Sequence, residues 1–191
     1  MRCTKWRQTL GAAFLSAVLG AGLVGSATAA SADWTFETLD GAGGAGGRTT
    51  NDVGTANAVT LYGGQPHVWY YDTSQGDLRH AWWTGATWSF ETLDGAGGAN
   101  GRTTNDVGRF NAVTIYGGQP HVWYWDGSQG DLRHAWWTGA AWSFETLDGA
   151  GGAGGRTTND VGRDNAVTIY GGQPHVWYWD LSGDLRHAWY G

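Results

Sequence analysis

The fold is decided by one stretch of eight residues, WSFETLDG at 88–95, which recurs as WTFETLDG at 34–41 and as WSFETLDG at 142–149. The copies are 54 residues apart, and the segments between them repeat with the same spacing. Self-similarity at a fixed period of this size is typical of propellers, solenoids and other repeat architectures. The sequence therefore predicts three repeats, at 34–87, 88–141 and 142–191.

Each repeat carries four short segments rich in Val, Ile, Thr, Tyr and Trp, the composition that favours strands. Counted from the first-strand segment of the second repeat, these predicted strands are 111–116, 121–125, 132–137 and 142–147, the last of which lies at the start of the third repeat. Short Gly-containing connections join them, as in an antiparallel meander. Bulky side chains occur on both strand faces, so each sheet needs a neighbour on either side. We therefore predict an all-β fold, a β-propeller of three four-stranded blades per chain, with a β-solenoid or a prism-like barrel as alternatives.

The N-terminal residues have the pattern of a secretory signal peptide. Three basic residues precede an apolar run at 10–24, and an A-x-A cleavage site follows. The run is rich in Gly and Ala and shorter than the roughly 20 residues that span a bilayer, which disfavours the alternative, a membrane anchor. We predict a signal peptide at 1–29, with cleavage after residue 32 as an alternative, and a secreted domain at 33–191 without a membrane span.

Removal of this segment leaves an acidic protein without lysine. Three of the 11 basic residues, including the single Lys, lie in the segment, whereas all 17 acidic residues follow it. Such a surface repels phosphate backbones, so nucleic acid is not an expected partner. The only cysteine, Cys3, is also in the segment. The exported domain therefore has no disulfide and depends on the packing of its many aromatic residues.

The order of the predicted strands indicates an exchange between chains. The domain starts with a fourth-strand segment at 34–39 and ends with a third-strand segment at 185–190. Three blades are fewer than the four to eight of most propellers, and an unclosed set would expose sheet edges. We expect a homodimer that forms one six-bladed ring, in which the N-terminal strand of each chain completes the last blade of the other.

The run GDLRHAWWTGAAW at 130–142 resembles the blade signature of microbial β-propeller lectins, a G-x-L-x-H-x-x-W-x-G-x-x-W pattern that recurs once per blade. The resemblance covers about half of each repeat. It implies a non-catalytic protein that binds sugars in clefts between blades, assembled in some members from short chains. The fucose-binding members grip the sugar with an Arg and a Glu on neighbouring strands. The corresponding positions here are His121 and His134, so that grip is not carried over.

A lectin site needs aromatic planes to stack on sugar rings and polar side chains to bind the hydroxyls. The third strand of each repeat offers a His-x-Trp pair, and the long loop before the first strand offers Arg, Asn and Asp. The alternative is that these Trp and His belong to the core and that the loop caps a seam between blades. The predicted carbohydrate-binding residues are Arg48, Asn51, Asp52, His80, Trp82, Arg102, Asn105, Asp106, His134, Trp136, Arg156, Asn159, Asp160, His187 and Trp189.

The six histidines form three pairs on neighbouring strands. Two histidines can begin a zinc site, but a third ligand is required and none is evident. We therefore predict no metal and no other cofactor. The pairs are His67/His80, His121/His134 and His175/His187.

Glu37 and Asp40, with their repeats, raise the alternative of a glycosidase. Residues three apart on a strand should point to opposite faces, and an enzyme has little use for three identical pairs. We therefore expect no enzymatic activity. The expected function is multivalent carbohydrate binding, with glycans as partners, and the alternative is a structural or protein-binding propeller.

Overall fold

The computed structural model describes residues 33–191, and the predicted signal peptide lies outside the described residues. The chain divides into two compact units, of which the second, Glu37–Gly191, holds all the strands of the described part. No helix occurs within 33–191. Accordingly, this part of the chain has no helix long and apolar enough to cross a membrane.

Eleven strands of the described chain form three antiparallel sheets, and the fourth strand of each complete sheet comes from the start of the next repeat. The first sheet has the order β1 (Val53–Tyr62), β2 (Gln65–Asp72), β3 (Asp77–Trp83) and β4 (Trp88–Asp94). The second sheet has the order β5 (Val107–Tyr116), β6 (Gln119–Asp126), β7 (Asp131–Trp137) and β8 (Trp142–Asp148). The third sheet contains β9 (Val161–Tyr170), β10 (Gln173–Asp180) and β11 (Asp184–Trp189), with β10 in the middle. The all-β class and the three repeated sheets are thus confirmed.

The first strand of each sheet is longer than predicted because it contains a bulge. In the second sheet it begins at Val107, with positive φ angles at Gly108 (104°) and Phe110 (55°). A Cβ atom on Gly108 would lie only 2.7 Å from the Cα of Leu78 in the first sheet, so this close approach requires glycine. Nδ2 of Asn111 donates to the carbonyl of Gly108 at 2.9 Å and holds the bulge in place.

The N-terminal segment at 34–39 forms no strand in the single chain. The side chains of Trp34 and Phe36 are 86% and 87% exposed. A strand needs a partner for its backbone hydrogen bonds, and these residues pair with no strand of the described chain. The third sheet consequently has three strands, where four per blade were predicted.

Consecutive sheets pack against each other, with β1 against β5 and β5 against β9. The core between the first and second sheets contains Trp69, Leu78, Leu93, Val107, Val122 and Tyr124. The core between the second and third sheets contains Trp123, Leu132, Val161, Val176 and Tyr178. Each fully buried Val or Leu side chain among these stabilises the fold by about 1.5–3 kcal/mol. Residues 33–191 contain no cysteine, so these cores take the place of disulfides.

A buried Asp–Tyr–Arg cluster, which we call the clamp, joins each sheet to the segment that precedes it. At the end of β4, Asp94 accepts hydrogen bonds from the hydroxyl of Tyr124 at 2.7 Å and from Nε of Arg133 at 3.1 Å. Burial and the neighbouring carboxylate raise the pKa of Tyr124 well above its usual range, so its hydroxyl stays a donor. The three clamps are Asp40/Tyr70/Arg79, Asp94/Tyr124/Arg133 and Asp148/Tyr178/Arg186.

The first and third sheets each keep one open face. On the first sheet, an open groove of about 250 Å³ is lined by Val53, Val68, Tyr70 and Phe90. On the third sheet, Leu185 is 78% exposed and Tyr170 is 72% exposed. At the position of the second sheet that corresponds to Leu185, Leu132 is buried against the third sheet.

Candidate functional site

Each sheet carries four aromatic rings side by side on its second and third strands, which we call the ring row. In the first sheet, the strand register places His67 opposite Trp82 and Trp69 opposite His80. Neighbouring rings have centroids 4.7 to 6.0 Å apart and planes within 25° of parallel. Alternation along the strands brings all four rings to one face. The other ring rows are His121, Trp123, His134 and Trp136 in the second sheet, and His175, Trp177, His187 and Trp189 in the third.

A chain of hydrogen bonds runs through each complete ring row to a glutamate on the fourth strand. Nδ1 of His80 lies 2.9 Å from Oε1 of Glu91, and Nε2 of His80 lies 3.0 Å from Nδ1 of His67. Because an ionised carboxylate only accepts, Nδ1 of His80 carries its proton and Nε2 accepts the proton of His67. This assignment leaves Nε2 of His67 as an acceptor. We call the arrangement the His–His–Glu relay.

The second sheet repeats the relay, whereas the third sheet has only its first half. His121, His134 and Glu145 are joined at 3.0 and 2.9 Å. In the third sheet, His175 and His187 lie 2.9 Å apart, and no carboxylate of the described chain bonds to His187. The missing partner would come from a fourth strand.

Burial keeps three of the relay histidines, His67, His80 and His121, neutral at neutral pH. Burial, followed by the charge of the neighbouring histidine, lowers the pKa of His67 and of His121 to about 4. Burial also lowers the pKa of His80. The hydrogen bond from His134 lowers the pKa of Glu145, so that this carboxylate is ionised. His67, His80 and His121 therefore present fixed donors and acceptors over the physiological pH range.

Two clefts open beside the ring rows, at equivalent positions between consecutive sheets. The first cleft has a volume of about 280 Å³ and is lined by Tyr62, His67, His80, Trp82, Glu91, Pro120, Trp137 and Trp142. The second cleft has a volume of about 370 Å³ and is lined by Tyr116, His121, Trp123, His134, Trp136, Glu145, Leu147, Pro174, Val176, Ala188, Trp189 and Tyr190. Since Tyr, His, His, Trp, Glu and Pro recur at matching positions, the clefts are one site built twice.

The first cleft has the smaller volume, and the side chain of Trp142 enters it from the second sheet. Its ring packs edge-on against Trp69 and His80, with centroids 6.2 and 5.6 Å away. No Trp of the described chain takes this position in the second cleft. Glu145 is accordingly more exposed than Glu91, with 44% of its side chain accessible against 33%.

The structure places the predicted carbohydrate-binding residues in two separate groups. The histidines and tryptophans His80, Trp82, His134, Trp136, His187 and Trp189 lie in the ring rows. The loop residues lie at the opposite end of the sheets, where the second strand turns into the third. There, the backbone N–H of Thr73 donates to the carbonyl of Asp52 at 2.8 Å, so the loop before the first strand and the turn between the second and third strands share one end of the sheet.

Seven of the nine predicted loop residues make side-chain contacts within the fold, and the other two, Asp52 and Arg156, are exposed. Nδ2 of Asn51 donates to Asp72 at 2.7 Å, and the guanidinium of Arg48 lies 5.5 Å from the centre of the Phe90 ring. The carboxylate of Asp106 accepts hydrogen bonds from Tyr71 and Arg109. In the other repeats, the equivalent hydrogen bonds and ring contacts are made by Asn105, Asn159, Asp160 and Arg102. These side chains therefore serve the turns and the seams between sheets.

Several cleft residues were not predicted as site residues, namely Tyr62, His67, Glu91, Trp137 and Trp142 with their equivalents. The two hairpins formed by the second, third and fourth strands contain the information needed to predict these residues. Two short turns fix the register of the second, third and fourth strands, and this register aligns His67 with Trp82, and His80 with Glu91. Reading the pairs across three strands would have found the relay.

The expectation that Glu91 and Asp94 point to opposite faces was wrong. Glu91 contacts Trp142 and Asp94 contacts Tyr124, both in the second sheet. The pairing of β3 with β4 shifts register between Leu78 and Arg79, which places one extra residue on β4 and turns Asp94 back to the same side. Within residues 33–191, no group of three His, Cys, Asp or Glu is placed to hold a metal ion.

Known proteins give no independent guide to the clefts. No protein-family model matches the chain, and no curated protein matches it.

Proposed function

We propose that this chain is a secreted, multivalent carbohydrate-binding protein, a lectin, whose sugar sites are the clefts between consecutive sheets. The observation that carries the proposal is that one chain builds the same aromatic cleft, with the same fixed acceptors, at two equivalent positions. Repeated sites on one rigid body suit weak ligands, because simultaneous binding raises the overall affinity by about 10²- to 10⁴-fold.

The cleft combines the two kinds of contact that a sugar needs. Trp82 and Trp137 are half-buried and offer aromatic surface to the C–H faces of a pyranose ring. Nε2 of His67 and the second carboxylate oxygen of Glu91 accept hydrogen bonds from sugar hydroxyls. Because the relay holds these acceptors in place before binding, little ordering cost falls on the complex.

The clefts are better candidates than the polar ends of the sheets. At those ends, the carboxylate of Asp160 already accepts hydrogen bonds from Trp125 at 2.9 Å and from Arg163 at 2.7 Å. A sugar would have to replace these contacts. In the cleft it meets acceptors that have room for a further partner.

The proposal is one of binding without catalysis. In a glycosidase, two carboxyl groups face the scissile bond. Glu91 binds His80 and Trp142, whereas Asp94 is buried in a clamp with Tyr124 and Arg133. Asp94 is thus committed to partners within the protein, and Glu91 is the only one of the two that lines the cleft.

We further propose that the binding form is a homodimer in which two chains form one ring of six sheets. Both seams within the chain repeat the same contacts. The hydroxyl of Tyr62 donates to Gln119 at 2.8 Å, and that of Tyr116 donates to Gln173 at 2.6 Å. Tyr170 on the third sheet and Gln65 on the first sheet are the equivalent residues at the two open faces. Tyr170 of one chain would donate the same hydrogen bond to Gln65 of the other. Two chains packed head to tail would form this Tyr170–Gln65 contact at both seams between them and leave no open face.

A glycan array on the secreted protein tests the function. We expect binding to a subset of glycans, abolished by an excess of the free monosaccharide that they share. Silence on every glycan would overturn the proposal and favour a protein-binding propeller.

A further inference from the structure

We propose that residues 34–39 of one chain form the fourth strand of the third sheet in a second chain. There, Trp34 would enter the second cleft and Glu37 would complete the third relay. The inference rests on the proposed dimer, but not on the binding of sugar.

The donated segment has the sequence of a fourth strand. Residues 34–41 differ from 88–95 and from 142–149 only at position 35, where Thr replaces Ser. The latter two stretches contain β4 and β8, the outer strands of complete sheets. The segment should therefore pair with a strand that has the sequence of β3 or β7. The strand β11 has this sequence and lies at the edge of the third sheet.

Side chains on β11 lack the partners that a fourth strand provides elsewhere. In the first sheet, Nη1 of Arg79 donates to Thr92 at 3.2 Å, and Arg133 makes the same bond to Thr146 at 3.3 Å. Arg186 keeps the other bonds of its group, to Asp148 and Gly155, but in the described chain it has no threonine partner. By register, Thr38 of the second chain would supply one.

A backbone contact is missing at the same place. The N–H of Phe90 donates to the carbonyl of Gly46, and that of Phe144 donates to the carbonyl of Asn100, each at 3.0 Å. The equivalent carbonyl in the third repeat is that of Gly154, which accepts no such bond from the described chain. Phe36 of the second chain would be the donor. Within the described chain, the third sheet therefore lacks these fourth-strand partners for side chains, at Arg186 and His187, and for a backbone carbonyl, at Gly154.

The first clamp holds Asp40 on the open face of the first sheet, directly after residues 34–39. Asp40 accepts hydrogen bonds from Tyr70 at 2.7 Å and from Arg79 at 3.1 Å in the first sheet. In the other two clamps, the equivalent Asp stands at the end of the fourth strand of the preceding sheet. The residues before Asp40 are therefore placed to be the fourth strand of whichever sheet packs on the open face of the first sheet. In the proposed dimer, that sheet is the third sheet of the other chain.

The exchanged strand would make the clefts equivalent. Trp34 corresponds to Trp142, whose Nε1 binds Glu91 in the first cleft, so Trp34 would bind Glu145 in the second. Glu37 corresponds to Glu91 and would accept the hydrogen bond from Nδ1 of His187. Each of these sites would then contain residues of both chains.

Disulfide trapping tests the exchange. The register opposes Trp82 to Ser89 and Trp136 to Ser143, so Thr35 should lie opposite Trp189 of the second chain. We would introduce Thr35→Cys with Trp189→Cys in a Cys3→Ser background, which removes the only native cysteine. The matched control, Trp82→Cys with Ser89→Cys, has the same geometry within one sheet and should form a bond within the chain.

We expect the Thr35→Cys/Trp189→Cys protein to run as a covalent dimer without reductant, and co-expressed single variants to form a mixed covalent dimer. A bond within one chain, or no bond while the control pair forms its own, would overturn the inference. The mass of the unmodified protein in solution separates the two proposals. A dimer that fails to cross-link would sink the strand exchange alone, whereas a monomer would sink the dimer with it.

Discussion

Nε1 of Trp142, on the second sheet, lies 3.2 Å from Oε1 of Glu91, on the first sheet. The same carboxylate oxygen lies 2.9 Å from Nδ1 of His80. One glutamate thus orients the histidines of its own sheet and receives the tryptophan of the next. A cleft is complete only when two consecutive sheets both have their fourth strands.

Replacing Glu91 and Glu145 together by Gln tests the role of the relay. A neutral amide can donate as well as accept, so it no longer fixes which ring nitrogen of His80 and His134 carries the proton. We expect sugar affinity to fall about tenfold, equivalent to ~1.4 kcal/mol, in a calorimetric titration. The exposed Asp52→Asn serves as a control that should bind normally. Unchanged affinity in the double Gln variant would remove the relay from the site.

The relay also predicts how stability depends on pH. Folding lowers the pKa of His67 and His121 from 6.5 to about 4. Between these values the unfolded chain binds more protons, so the free energy of unfolding decreases as the pH falls from about 6.5 to about 4. Thermal unfolding should show this loss, and His67→Gln/His121→Gln should flatten it. An equally steep pH dependence in the variant would contradict the assignment.

The clamps should carry a large part of the stability of the seams. Asp94 and Arg133 are both buried, so Asp94→Asn leaves an uncompensated buried guanidinium. We expect the free energy of unfolding, from chemical denaturation, to fall by about 3–5 kcal/mol. Asp52→Asn is again the control, because Asp52 is exposed. A loss below ~1 kcal/mol for Asp94→Asn would mean that the clamp is incidental to the seam.

Two glycines at equivalent positions separate folding from assembly. Gly54 and Gly108 both have φ near +100°, so alanine is strained at either position. Only Gly108 meets a neighbour within the chain, where an added Cβ would lie 2.7 Å from the Cα of Leu78. We expect Gly108→Ala to destabilise the folded chain more strongly, and Gly54→Ala chiefly to weaken the dimer, since Gly54 would face Leu185 of the second chain. Sedimentation and thermal unfolding measure the two effects, and a Gly54→Ala dimer as tight as the wild type would count against the ring.

The sequence was most informative where side chains alternate regularly. Repeats, turns and all four strands of a complete sheet followed from composition and spacing, apart from the start of the first strand, because short turns and β-branched or aromatic runs determine them locally. The start of β5 was missed because Gly108 and Phe110 adopt left-handed angles that break the alternation. The side on which Asp94 lies was missed because a register shift next to Leu78 depends on packing between strands. The segment at 34–39 was predicted as a strand and forms none in the single chain, because it pairs with no strand edge of the described chain.

The most direct test of the central claim is a calorimetric titration with the monosaccharide that the glycan array selects. Two triple variants are compared with the wild type, Trp82→Ala/Trp136→Ala/Trp189→Ala in the ring rows and Asp52→Ala/Asp106→Ala/Asp160→Ala at the polar ends. We predict one sugar per sheet in the wild-type protein, loss of binding in the Trp variant, and retained binding in the Asp variant. Unchanged binding in the Trp variant together with its loss in the Asp variant would contradict the account and place the sugar sites at the polar ends of the sheets.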